Sequence, residues 1–366
     1  MKTFLLIAYA IVLLTGIVIL LSLWILIFNN RSIRQEETAT NNRSTLRLTL
    51  MSYLKEEIDV TTVRRSIAGK ESLLTGLVSQ LAEEFGEPAQ IKLIGLFEVP
   101  ELAGIVQKEL RTLSGAYNWR KRQRAATYLP YIAKDSIIIA PLMHALEDSV
   151  FMVRFSAAHS LAKIKATQTI IPILEHLSLP AEWPIERTIE IIFAMGKEAI
   201  TPLLNYLFLP TAKNECKVFA ISALGLQHVS EAVPVILTHL NNPDKELRIQ
   251  SAKALGNIGA TEATGALCNS MKESAWEVRA AAANALGLLK NNSSIPTLLG
   301  SLRDSVWWVR YNSANALAEL GDDGISALKN ALTYADKFAR EVSRLVLQER
   351  SLITIDQNQT SPWLST

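Results

Sequence analysis

Cysteine is nearly absent. Cys216 and Cys268 are the only two in 366 residues, both fall inside predicted helices, and their spacing suits no metal site. A disulfide framework is thereby excluded, which fits a reducing compartment. Histidine is scarce too: His144, His159, His176, His228 and His239. His176 and His239 occupy corresponding positions two structural units apart. With helical layers about 10 Å apart they would stand roughly 20 Å from each other, too far to share a metal, so exposed positions are expected. A charge excess is also missing. The formal net charge is +2, so nothing global points to nucleic acid. The densest basic run, Asn118-Trp-Arg-Lys-Arg-Gln-Arg124, reads as a solvated helix face or as a contact for anionic lipid headgroups. Signatures of chemistry are lacking as well. Gly69-Lys-Glu-Ser72 has no upstream glycine of a phosphate-binding loop, and neither Gly-x-Gly-x-x-Gly nor Gly-x-Ser-x-Gly occurs. The expectation is a protein without catalytic residues, cofactor or metal.

What the chain does have begins with Phe4–Phe28, a run of 25 residues without a charge, long enough to cross a bilayer core of about 30 Å as one helix. It exceeds the apolar region of a cleaved signal peptide, typically about 7–15 residues, and ends in Ile-Phe-Asn-Asn rather than at a small-residue cleavage site. Lys2 precedes the span, and Arg31, Arg34, Arg43 and Arg47 follow it. This balance predicts a single-pass protein of the inner, cytoplasmic membrane with the C-terminal bulk in the cytoplasm. The expected domains are an anchor over 1–30, a juxtamembrane linker and helical cap over 31–84, a solenoid over 85–350 and a disordered polar tail over 351–366. Within the cap, apolar residues recur at helical spacing and Gly69 separates two helices.

A repeat organises the rest. Arg122, Arg154, Glu186, Lys217, Arg248, Arg279, Arg310 and Arg340 fill one slot at spacings of 30–32 residues. Seven residues after each stand Leu129, Leu161, Phe193, Leu224, Leu255, Leu286, Leu317 and Leu347. A fixed period of this size means stacked units. Each unit reads as two helices. The first carries a small apolar face such as Ala280, Ala282, Ala283 and Leu286, which lets helices approach closely. Ser274-x-x-Glu277 looks like a capping box. Glycines are expected to close first helices at Gly196, Gly259 and Gly321, and prolines to open second helices at Pro141, Pro172, Pro202, Pro234 and Pro296. Leu96, 33 residues before Leu129, marks a degenerate further unit, giving eight or nine in all.

An acidic residue six before the marker (Asp148, Glu273, Asp304), Val-Arg at 153–154, 278–279 and 309–310, and Ala-x-Ala-Leu-Gly at 252–256 and 283–287 resemble HEAT repeats, in particular the short kind of phycobilisome lyases. The resemblance covers residues 85–350 and implies a right-handed all-α solenoid. It says little of activity, since fold and function are separable.

Two columns are candidate contact surfaces. The marker arginines are expected to pair with acids of their own or the next unit. Three residues before the marker stand Trp119, Phe151, Trp183, Asn214, Lys245, Trp276, Trp307 and Lys337, with Trp308 and Phe338 one position on. Rings three residues before an arginine share its helix face and could form cation–π pairs. The column reads either as packing between units or as an exposed ridge for a partner helix or a sugar polymer. On the second helices, spacing nominates Asn205, His239, Asn269, Lys272 and Arg303. The expected function is a bacterial membrane-anchored scaffold binding a protein partner. Its layout is similar to that of membrane HEAT proteins beside processive glycosyltransferases, which implies an accessory role in exopolysaccharide assembly. Two alternatives stand beside it: a bilin lyase or chaperone-like factor for phycobiliproteins, and a regulator of membrane traffic or signalling.

Overall fold

In the computed structural model the described residues are 40–353 without 69 and 178–184, together with Leu21, Trp24, Phe28 and Thr38. The predicted span over 4–28, Trp183 and the tail beyond residue 353 therefore lie outside the described residues, apart from those isolated positions. Among the described residues no helix is long and apolar enough to cross a membrane. They form helices and connecting turns, with no strand.

The chain divides into two compact units, residues 1–141 and 142–366. The first contains α1 (40–54), α2 (Val60–Ile67), α3 (Glu71–Phe85), α4 (Glu87–Leu96), α5 (Pro100–Gly115) and α6 (Trp119–Ile132). Helix α6 packs on α3, α4 and α5. The core holds Leu46, Leu50, Leu74, Leu81, Leu93 and Leu96, all fully buried. Helix α4 starts immediately after α3, because Gly86 turns the chain at φ +76°, a conformation that costs glycine little. Helix α7 (Asp135–Ala145) runs across the division. Pro141 lies at its seventh residue rather than at its start: Asp135 opens the helix a turn and a half earlier.

In the second unit, first and second helices alternate without exception. The first helices are α8 (Phe151–Lys163), α10 (Ile185–Ala194), α12 (Asn214–Leu226), α14 (Lys245–Ile258), α16 (Trp276–Leu289), α18 (Trp307–Glu319) and α20 (Lys337–Glu349). The second helices are α9 (Ile170–Leu177), α11 (Ile200–Phe208), α13 (Val233–His239), α15 (Thr264–Ser270), α17 (Ile295–Ser301) and α19 (Asp322–Ala331). Each first helix packs on the next, from α8 to α20. A short 3-10 turn precedes each of α9, α11, α13, α15 and α17, and Pro172, Pro202, Pro234 and Pro296 fall in the first three residues of their helices.

The marker leucines, from Leu161 to Leu347, have no exposed surface, with one exception in register. Phe193 is 40% exposed while Ile192 is 1% exposed. The core slot of this repeat is therefore Ile192, one residue earlier than the count placed it, and no arginine stands in its marker slot. Alanine and glycine do what their size predicts. A β-carbon on Gly225, Gly256 or Gly287 would lie 2.7, 2.7 or 2.8 Å from the Cα of Ala254, Ala285 or Ala316 in the next first helix. Those helices touch backbone to backbone, and only glycine fits.

Each junction between first and second helix needs one residue at positive φ. Lys165, Gly196, His228, Gly259, Lys290 and Gly321 hold that slot at spacings of 31–32. Of the expected glycine stops, Gly259 is a left-handed cap (φ +80°, ψ +30°). Gly196 instead opens a 3-10 turn, and Gly321 sits ahead of α19 in a more extended conformation. The other repeats place lysine or histidine where glycine would be easier.

Candidate functional site: an aromatic ridge over an arginine staple

The marker arginines have a use the sequence did not disclose. In Arg122, Arg154, Arg248, Arg279, Arg310 and Arg340 the Nη1 group donates to the backbone carbonyl six residues earlier, at 2.6–2.8 Å. The same Nη1 also reaches the carbonyl five residues earlier, for instance Ser274 at 2.9 Å from Arg279. One side chain thus ties down the turn that leads into its own helix and satisfies carbonyls that secondary structure leaves open. Only a donor that is always charged and planar can hold two carbonyls while keeping other N–H groups for a carboxylate.

Arg279 and Arg248 each meet an acid of the following unit, as expected. Arg279 makes a two-pronged pair with Asp304, Nε to Oδ2 at 2.7 Å and Nη2 to Oδ1 at 2.8 Å. Arg248 reaches Glu273 at 3.4 Å. Burial alone would push the Asp304 carboxyl up. The Arg279 hydrogen bonds, the Val306 amide and the charges of Arg279 and Arg310 outweigh that and hold it below the usual carboxylate range. The capping box at Ser274 and Glu277 does not form. The cap residue is Ala275, and Glu277 instead accepts from Lys245 at 2.7 Å, bridging α14 to α16.

Over this frame lie the rings. Trp276, Trp307, Trp308 and Phe338 are 38%, 42%, 53% and 53% exposed. Trp276 and Trp307 are the first residues of α16 and α18, and Phe338 is the second of α20. Because α16 packs on α18 and α18 on α20, these starts stand side by side. Trp307 stacks on Tyr311 at 4.8 Å and 12°, and meets Trp308 at 4.8 Å and 79°. Among the described residues the expected cation–π pair three residues apart is seen in Arg154 over Phe151 at 5.2 Å. Elsewhere the pairing changes: Arg310 lies over Phe338 of the next repeat at 4.6 Å, and Arg120 over Trp119 at 5.0 Å. Trp119 is half-buried, and Trp183 lies outside the described residues. Among the described residues the exposed rings of this column thus form a ridge in the last three repeats.

Among the nominated second-helix residues, Asn205 and Asn269 are exposed on α11 and α15. Lys272 and Arg303 are exposed too, but lie in the turns after α15 and α17, beside the ridge. Arg303 rests over the Tyr334 ring at 5.3 Å. His239 corrects the expectation of exposure: it is 8% exposed, with Nε2 buried and without a hydrogen-bond partner. Burial lowers its pKa below the ordinary imidazole value, the Lys217 charge adds to the effect, and a backbone hydrogen bond at Leu207 opposes it. It is the last residue of a short seven-residue helix whose inward positions are hard to count from spacing. The basic run over 118–124 is engaged rather than merely solvated: Arg122 staples its turn and Arg124 reaches the buried Glu109 at 3.5 Å. Among the described residues no group of histidine, cysteine or carboxylate side chains could hold a metal.

Stacked two-helix layers with a stapling arginine define an α-solenoid repeat protein. The family model for HEAT repeats matches residues 108–191, 200–276 and 265–348, more than half of the chain. The chain belongs to the HEAT-repeat family. Comparison with curated proteins gives no match. Similar solved structures include human deoxyhypusine hydroxylase in complex with glycerol, at 19% identity and a TM-score of 0.30, covering 68% of this chain and 96% of that one. YibA of Escherichia coli is similar at 18% identity and a TM-score of 0.38, covering 70% and 97%. The complex of CpcE and CpcF of phycocyanin lyase from Nostoc is similar at 18% identity and a TM-score of 0.30, covering 68% and 94%. Likeness at that level carries nothing about activity or partner.

Proposed function

We propose that this chain is a non-catalytic scaffold that binds a protein partner beside the cytoplasmic face of the inner membrane, held there by the apolar run over residues 4–28. The observation that supports it best is the ridge of Trp276, Trp307, Trp308 and Phe338. Four large rings stay partly exposed at the helix starts that follow the stapled turns. Exposed apolar patches rimmed by polar groups mark interaction surfaces in soluble domains. Tethering raises the concentration of the ridge toward neighbours in the same membrane, so a weak contact becomes productive. An accessory role in a membrane glycosyltransferase system for exopolysaccharide is the finer form of this proposal.

The test has two arms. Alkaline carbonate extraction should leave the full chain in the membrane pellet and release a variant lacking residues 4–28. A photo-reactive residue at position 308 should crosslink a membrane protein in whole cells, and a Trp276→Ala/Trp307→Ala background should abolish the crosslink. Recovery of the full chain in the carbonate supernatant, or absence of any crosslinked protein, sinks the proposal. Covalent pigment transfer by the purified chain to an apo-phycobiliprotein would replace it with the lyase reading.

A further inference from the structure

The chemistry of the partner can be narrowed, on the premise that the ridge is the docking surface of the scaffold. Two observations about the ridge point the same way. The first concerns its rings. Recognition of a sugar polymer needs open aromatic faces, but one face of Trp307 is covered by Tyr311 and the ring also meets Trp308 nearly at right angles. At Trp307 at most one face is left open, which favours inserted aliphatic side chains over stacked sugar rings.

The second observation is charge. Three acids near the ridge are paired with cations: Asp304 with Arg279, Glu273 with Arg248 and Glu277 with Lys245. Two neighbouring cations have no carboxylate of their own among the described residues, although Arg303 rests over the Tyr334 ring. Lys272 and Arg303 are exposed, and neither makes an ion pair among the described residues. Pairing within the frame thus takes up Asp304, Glu273 and Glu277 and leaves Lys272 and Arg303 without a carboxylate at the rim among the described residues. Adjacent first helices stand about 8–10 Å apart, and an extended chain advances about 3.3 Å per residue, so every third residue of such a chain meets the next layer.

From this we infer that the ridge over α16, α18 and α20 binds an extended acidic segment of a partner protein, with an aliphatic residue at every third position entering the clefts beside Trp276, Trp307 and Trp308, and its carboxylates meeting Lys272 and Arg303.

A twelve-residue peptide of four Asp-Ser-Leu triplets, with blocked ends, is the probe. It is titrated into the full chain in detergent micelles while tryptophan fluorescence is followed. Saturable binding is expected, with no binding of the Lys-Ser-Leu counterpart or of oligogalacturonate. K272E/R303E should weaken the acidic peptide at least about tenfold, the size expected when close charge pairs at a rim are reversed. Its circular dichroism should stay unchanged, since both residues are exposed. Equal binding of both peptides, an unaltered affinity in K272E/R303E, no binding of the acidic peptide, or preference for oligogalacturonate would each overturn the inference. A crosslink at position 308 that survives K272E/R303E would sink this inference alone and leave the scaffold reading standing.

Discussion

The two units of the chain are held by different forces. In residues 1–141 three of the polar ties are exposed ion pairs: Arg47–Glu84 at 2.6 Å, Arg64–Glu101 at 2.9 Å and Lys134–Glu98 at 2.7 Å, their side chains between 36% and 60% exposed. In residues 142–366 arginines turned inward onto backbone carbonyls recur at Arg154, Arg248, Arg279, Arg310 and Arg340, a tie made in residues 1–141 by Arg122. Arg279 and Asp304 are only 13% and 12% exposed. Glycine differs as well. A β-carbon on Gly95 or Gly104 in the first unit would meet nothing within 4 Å, whereas Gly225, Gly256 and Gly287 are wedged against the next backbone. A repeat can be fixed at its surface, where salt screens it, or at its turns and helix crossings, where it cannot. Only the second kind leaves a sequence signature, because it demands one residue type at one spacing.

The largest effect should come from filling a helix crossing. Gly256→Val places new carbons against the Ala285 backbone. Overpacking of this kind costs about 1–3 kcal/mol and more when backbone must move, so the upper end is expected here, read as a drop in the urea midpoint. Gly95→Ala in α4 is the matched control. With open space around it, the substitution should stabilise by up to about 1 kcal/mol through helix propensity. A loss in both would remove the distinction between the units.

Next comes Arg279→Ala. It leaves Asp304 half-desolvated without its partner and frees the Glu273 and Ser274 carbonyls. Orphaning buried polar groups costs about 1–3 kcal/mol. The loss should be about 2 kcal/mol, and Arg279→Lys should recover little of it, because an ammonium cannot serve carbonyls and carboxylate from one plane. Full rescue by lysine would show that charge alone matters.

Much of this was legible beforehand. The period, the helix pairs, the alanine face and the buried leucines all follow from residues whose role is fixed by size and spacing. The acid six before the marker was visible too, at Glu273 and Asp304, but its neighbour in sequence did not reveal that the arginine mainly grips its own turn. Backbone carbonyls carry no sequence label. Phe193 shows another limit: in Ile191-Ile192-Phe193 three apolar residues compete for one slot, and only packing decides. Positive φ was read from glycine and therefore missed at Lys165, His228 and Lys290. The ridge was written plainly as tryptophan at fixed spacing, yet whether those rings were covered depended on neighbours no pattern names.

Acid should act on the second unit through His239. Its folded-state pKa is lowered, first by burial and then by Lys217. The neutral form belongs to the fold, so its contribution is complete above the unfolded value of about 6.5 and declines as pH falls below it, because the unfolded chain takes up a proton the folded one refuses. Stability measured by urea titration from pH 7.5 to 5 should fall in wild type, and His239→Leu should flatten that slope. An identical slope in the variant would place the acid sensitivity elsewhere.

The smallest effect belongs to the first unit. Arg64→Ala removes the pair with Glu101 across α2 and α5, both side chains being well exposed at 56% and 39%. Solvent screening and the entropy of two long side chains leave such pairs worth about 0–1 kcal/mol, so the change should stay under about 0.5 kcal/mol. At about 1 M salt, where charges are screened within roughly 3 Å, it should vanish. Hydrogen exchange at the α2 amides is the local readout: slight acceleration in the variant at low salt, none at high salt. If Arg64→Ala instead opened α2 as strongly as Arg279→Ala loosens α16, the surface pairs would carry more of the fold than their exposure permits, and the contrast between the two units would fail.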